Sequence, residues 1–177
     1  MKKYIYPIAF AGTVVVLSGL AVVGYNAQRA AKNPDSQQSC ENIPISELDS
    51  ERSQGILIKD GKVLAVQLTD ETNYSVPGGH IDLGENAKTA LKRELKEEVG
   101  IDSDINSYEY YKTDCQTEDL KTQRIYYYIV NIWKDDISLE SQGDKVKWVN
   151  SAYLEKKKAD TDLKLVLYYL QQDGLID

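Results

Sequence analysis

Three glutamates, Glu94, Glu97 and Glu98, fall within five residues of one another. Like charges four apart on a helix repel by roughly 0.2–0.5 kcal/mol, so a bare helix surface gains nothing from this crowding. Arg93 stands four residues before Glu97 and can hold it in an ion pair. A Gly78-Gly79 turn lies upstream, and Glu85 sits in the loop that leads from the turn toward the glutamates. Backbone approaches closely at such a turn, and carbonyl oxygens become available there. Clustered carboxylates with a carbonyl oxygen form a hard-oxygen site suited to Mg2+ or Mn2+. Mg2+ keeps several waters and takes remaining ligands from substrate phosphates, so the cluster would be the metal-holding half of a phosphate-processing site. The bland alternative is a solvated acidic helix face.

These residues need a helix to carry them. Leu91, Leu95 and Val99 recur every fourth residue, which predicts a helix over 86–99 with that stripe buried and Gly100 as its stop. With the stripe inward, Glu94 and Glu98 share a face and Glu97 lies beside them. Upstream, two apolar runs over 55–68 flank Asp60-Gly61, a hairpin signal because both central positions of a type I′ turn take positive φ. Residues 74–79 read as a short extended piece. The aromatic and β-branched stretches 107–112, 122–134 and 145–150 read as strands. The stretch from Thr161 reads as a second helix, capped by Thr161 or Asp162 and stopped at Gly174. Hairpin, loop, helix, strands and helix in that order predict a mixed sheet covered by helices.

The spacing of the polar residues carries a resemblance. Gly79 is followed after five residues by Glu85, after seven more by Arg93-Glu94-Leu95, then by Glu97-Glu98 and Gly100-Ile101. This resembles a complete Nudix box, and the Val76-Pro77-Gly78-Gly79 run before it is also similar to that family. The resemblance covers roughly residues 53–177. It implies the Nudix fold, an α/β/α sandwich with a mixed β-sheet, here preceded by an N-terminal hydrophobic helix. It implies Mg2+- or Mn2+-dependent hydrolysis of a nucleoside diphosphate linked to another moiety, a small-molecule substrate. Glu94, Glu97 and Glu98 match metal ligands or the general base, Arg93 the residue that orients them, and Gly78 a carbonyl in the metal shell. Glu85, Gly79 and Gly100 match supporting positions. Water would attack phosphorus while a carboxylate accepts its proton. The favoured acceptors are Glu94 and Glu97, with Glu118 and Glu140 as loop alternatives. A Nudix-fold binding or sensor module without turnover is the competing class, and the intact box favours the enzyme.

The rest of the chain sets bounds. It has 177 residues, 42% hydrophobic and 28% charged, with net charge −7. Residues 1–32 hold Lys2, Lys3, Arg29 and Lys32 and no acid, so the remainder carries 17 basic against 28 acidic groups, net −11. General nucleic-acid binding is disfavoured, because phosphate neutralisation drives it. Residues 4–28 are uncharged over 25 positions, about 37 Å as a helix against a hydrocarbon core of about 30 Å. The expectation is a single membrane span within 1–32, with a cleaved signal peptide as the rival and the side of the membrane open. Residues 33–52 read as a linker and 53–177 as the domain. Cys40 and Cys115 read as two free thiols, a disulfide requiring export. His80 reads as a surface or turn residue, with a substrate contact as the alternative, and Tyr126, Tyr127, Tyr128, Trp133 and Trp148 as mainly core. A homodimer is left open.

Overall fold

The computed structural model describes residues 43–118, 121–131, 133–134, 137–139, 141–156 and 158–177; the expected span or signal over 1–32 and Glu140 lie outside them. Among the described residues no helix is long and apolar enough to cross a membrane. Among the described residues, seven strands and two α-helices carry the fold: β1 Ser50–Ile56, β2 Ile58–Lys59, β3 Lys62–Gln67, β4 Gly78–His80, α1 Ala87–Val99, β5 Tyr108–Glu118, β6 Lys121–Val130, β7 Lys145–Val149 and α2 Thr161–Gln172. One sheet runs β4-β1-β6-β5 and the other β2-β3-β7. The first sheet is mixed: β1 lies parallel to β6 and antiparallel to β4.

Alternation along the strands divides the core in two. Ile56, Ile58, Val63, Ala65 and Tyr127 face the Leu163, Val166, Leu167 and Leu170 stripe of α2. Their sequence neighbours Leu57, Leu64, Val66 and Tyr128 face the Leu91, Leu95 and Val99 stripe of α1. Successive side chains of a strand point to opposite faces, so one layer of sheet builds two cores and two helices cover them. The result is the α/β/α sandwich with a mixed sheet. Tyr127 and Tyr128 are both buried, and so is Trp133.

The hairpin between β2 and β3 turns on Asp60 (φ 51°) and Gly61 (φ 69°), the geometry the dipeptide predicts. Asn86 caps α1 by accepting the Thr89 N–H at 3.0 Å, and Gly100 closes it in the left-handed conformation.

Three local expectations differ from the structure. Strand β1 begins at Ser50, inside the stretch read as a linker, because Glu51 and Arg124 form an ion pair (3.1 Å) and Arg124 also donates to the Ile43 carbonyl. Those partners lie more than 70 residues apart, beyond any local pattern. The cap of α2 is Asp160, which accepts the Leu163 N–H at 2.7 Å; Thr161 is the first helical residue. Cys115 is disulfide-bonded rather than a free thiol, its partner lying outside the described residues.

Burial pushes the Asp160 carboxyl up to about 6, with the Asp162 and Glu71 charges adding and the Leu163 N–H and the Arg52 charge opposing. A carboxyl raised in the folded state binds a proton there that the unfolded chain releases, so its contribution to stability falls as pH rises from its ordinary range through about 6. Asp160→Asn keeps a capping oxygen and loses the charge. It should leave stability unchanged at pH 3.5 and raise it by on the order of 1 kcal/mol relative to wild type at pH 7.5. Urea unfolding at both pH values measures the difference; an equal shift at the two would refute the assignment.

Candidate metal and phosphate site

Helix α1 delivers the charged residues to one edge of the first sheet. Its apolar stripe packs on the sheet, and Arg93 and the glutamates emerge beside β4. Arg93 is the hub. Its Nε donates to Glu85 Oε1 at 3.1 Å, and Nη2 donates to Glu85 Oε2 at 2.9 Å and to the His80 carbonyl at 3.0 Å. Its Nη1 donates to Glu94 Oε1 at 2.7 Å and to Glu97 Oε2 at 3.2 Å. The expected Arg93–Glu97 ion pair four residues apart is present, and the Glu85 pair is two-pronged. Hydrogen bonding from Arg93 holds the Glu85 carboxyl below its ordinary range.

Glu98 stands apart from this clamp. Its carboxylate accepts the Gly78 N–H at 2.9 Å. Burial pushes it up to about 7, the Glu94 and Asp144 charges adding and the Gly78 N–H and Arg52 charge opposing. The strain expected of the glutamate trio therefore falls on Glu98 and comes first from desolvation, with repulsion from Glu94 a smaller cause.

The two glycines that open β4 are required by space. Gly78 has φ 141°, and a Cβ there would run into the Ser53 carbonyl and lie 2.8 Å from Gln54 Cα. A Cβ at Gly79 would collide with the Glu94 carboxylate. Backbone and carboxylate thus meet at van der Waals range, as expected of a cradle for a small ligand.

The donor chemistry fits a hard divalent cation: carboxylate oxygens beside glycine backbone, with a desolvated carboxyl at Glu98 whose charge a cation would stabilise. The sequence places Glu94, Glu97 and Glu98 together, but the structure does not converge them. Among the described residues no three His, Cys, Asp or Glu side chains form a ready metal cage. Glu94 and Glu97 direct oxygens at Arg93, and Glu98 at Gly78. Gly100 acts as the cap of α1. His80 is exposed, as a surface role predicts, but it ends strand β4 opposite Arg52 and does not lie in a turn; its carbonyl accepts from Arg93. Glu118 ends β5.

A second polar cluster lies where no sequence motif points. Asp162, buried in the first turn of α2, accepts from Tyr127 OH at 3.3 Å and from Gln116 Nε2. The amide of Gln54 lies between Asp162 and the backbone of β4's approach. Turned one way, its nitrogen donates to Asp162 Oδ2 at 3.3 Å; turned the other, to the Val76 and Pro77 carbonyls at 2.7 and 3.2 Å. The signal was present in β1, where Arg52 and Gln54 occupy the phase that Ile56 continues into the core.

A family model described as the NUDIX domain matches residues 49–169, and the chain belongs to this family. The 8-oxo-dGTP diphosphatase of Haemophilus influenzae is 35% identical over 80 residues, 45% of this chain and 56% of that protein, so the match spans little more than half of the relative. The 8-oxo-dGTP diphosphatase of Buchnera aphidicola is 29% identical over 99 residues, 54% of this chain and 72% of that protein. The solved structure of the MutT protein from Methanosarcina mazei has the same fold, with TM-score 0.61 at 13% identity over 74% of this chain and 99% of that one.

Replacing Glu98 by Gln tests its place in the site. The raised carboxyl costs stability increasingly as pH rises from its ordinary range through about 7. In chelator at pH 8, Glu98→Gln should therefore be stabilised by on the order of 1–3 kcal/mol, and at pH 4 it should match wild type. With Mg2+ at 100 times its dissociation constant, wild type should gain about 2.7 kcal/mol that the variant should largely lack. Thermal melts with chelator and with metal provide both comparisons. Equal stabilisation of the two proteins by metal would remove Glu98 from the ligand set.

Proposed function

We propose that the protein is a metal-dependent pyrophosphohydrolase that cleaves a diphosphate linkage in a nucleoside di- or triphosphate derivative. The carrying observation is the Arg93 clamp on Glu85, Glu94 and Glu97, built against the start of β4, where the Gly78 N–H holds Glu98. Mg2+ or Mn2+, held by Glu94, Glu97, Glu98 and the Gly78 backbone, would supply Lewis-acid charge for phosphoryl oxygens. Arg93 orients the Glu94 and Glu97 carboxylates through Nη1. Glu97 is the more exposed of the two and shares Nη1 at 3.2 Å against 2.7 Å for Glu94. It is the better placed to accept the proton of an attacking water. Oxygen from water then bonds to phosphorus, and the departing phosphate takes the electron pair of the bridging bond. The two diphosphatase relatives make 8-oxo-dGTP the first substrate to test, followed by other nucleoside triphosphates, ADP-ribose and dinucleoside polyphosphates.

Turnover of one member of this panel with Mg2+ in ¹⁸O water should place label on a product phosphate. Glu97→Gln should lower kcat by about 10²-fold or more while the melt in chelator stays within a few degrees of wild type. Label on a sugar carbon would rule out attack at phosphorus. Tight binding without turnover of any compound would favour the sensor class.

We further propose that residues 1–32 hold the domain at a membrane, on its oxidising side. The support is the uncharged stretch over 4–28 together with the bonded state of Cys115. The full-length chain should stay in the pellet through carbonate extraction, and protease added to spheroplasts should digest the domain. Complete release into the supernatant would sink the anchor.

A further inference from the structure

Arg52 lies on β1 between two neighbours, opposite His80 of β4 and Ile125 of β6. By strand alternation it shares a face with Gln54 and Ile56. Gln54 lies against Asp162 in the first turn of α2, and Ile56 belongs to the α2-side core. Arg52 therefore faces the start of α2. Its pairing with His80 puts it beside the box as well, and its charge acts on both Glu98 and Asp160.

The other two arginines described above are held by protein partners. Arg93 is bonded through all three nitrogens, and Arg124 is held by Glu51, Tyr126 and the Ile43 carbonyl. Arg52 differs: its Nε is buried with no hydrogen-bond partner, and its side chain forms no hydrogen bond or ion pair with the described residues. Leaving a buried donor unpaired costs stability. A guanidinium presents paired N–H groups that match phosphate oxygens, and it stays charged throughout the accessible pH range. In a domain with a large acidic excess, such a group beside a carboxylate site fits an anion that arrives from solution.

We propose that Arg52 is a substrate-binding residue whose guanidinium donates to the phosphate that stays with the nucleoside after cleavage. The assignment rests on the pyrophosphohydrolase reading and adds direction to it: the bond is broken at the glutamates of α1, and the nucleoside extends past Arg52 toward the start of α2. The competing role is charge balance for Glu98 and Asp160, which would affect stability and leave substrate affinity alone.

The test compares wild type, Arg52→Gln and Arg52→Lys by steady-state kinetics on nucleotides of different bases. Calorimetry of an α,β-methylene nucleoside triphosphate with Mg2+ adds a readout independent of turnover. Arg52→Gln should raise KM and the analogue's Kd by about 10–100-fold for every base alike, with kcat within about threefold. Arg52→Lys keeps the charge without the fork and should fall between. Unchanged KM and Kd in the folded variants would overturn the Arg52 assignment and leave the hydrolase reading standing. An effect confined to one base would overturn the phosphate contact. A wild type that binds the analogue without turning over any nucleotide would remove the hydrolase reading, and the calorimetric comparison alone would then decide Arg52. A wild type that neither binds nor hydrolyses would overturn both.

Discussion

The site depends on one fully committed guanidinium. Arg93 reaches a loop through Glu85, a strand through the His80 carbonyl, and its own helix through Glu94 and Glu97. Five donors in a fixed planar fork make this possible; an ammonium group has neither the number nor the geometry. The clamp draws together acids that would otherwise repel one another, and it fixes where β4 ends relative to α1. It leaves Glu98 outside, and Glu98 is the carboxyl whose burial raises it to about 7.

The sheet then decides what the site can see. Because neighbouring residues of β1 face opposite helices, one strand supplies Gly55 beneath Leu91 and Leu95 on the α1 face and Gln54 against Asp162 on the other. The glycines serve closeness: Gly78 passes the Ser53 carbonyl, and Gly79 leaves room for the Glu94 carboxylate. Replacing either would move backbone or carboxylate before any chemistry was altered. The site is shaped as much by absent side chains as by present ones.

Much of this was legible beforehand because it is local. The Asp60-Gly61 turn, the Leu91–Leu95–Val99 stripe, the Asn86 start and Gly100 stop, and the Arg93–Glu97 pair each involve residues within a few positions of one another. The polar box was readable for the same reason, as 23 contiguous residues. What escaped depends on distant partners. Glu51 meets Arg124 across 73 residues, which is why β1 begins before its pattern suggests. Asp162 meets Gln54 across 108 residues, and no spacing rule reaches so far. Orientation also escaped: adjacency of three glutamates is written in the chain, but whether their oxygens converge is settled by Arg93.

The staple ahead of β1 has a mechanical meaning. Arg124 grips the Ile43 carbonyl and Glu51, and Cys115 is cross-linked on the adjoining strand, its backbone paired directly with Arg124. If the chain is pulled from its N-terminal side, as by a membrane leash, the load enters at these bonds before it reaches the β1–β6 ladder. Because β1 and β6 run parallel, tension along β1 would shear their hydrogen bonds together instead of opening them one at a time. The domain is thus braced at the end from which a tether would tug, and the glycine cradle downstream of β1 is spared the strain.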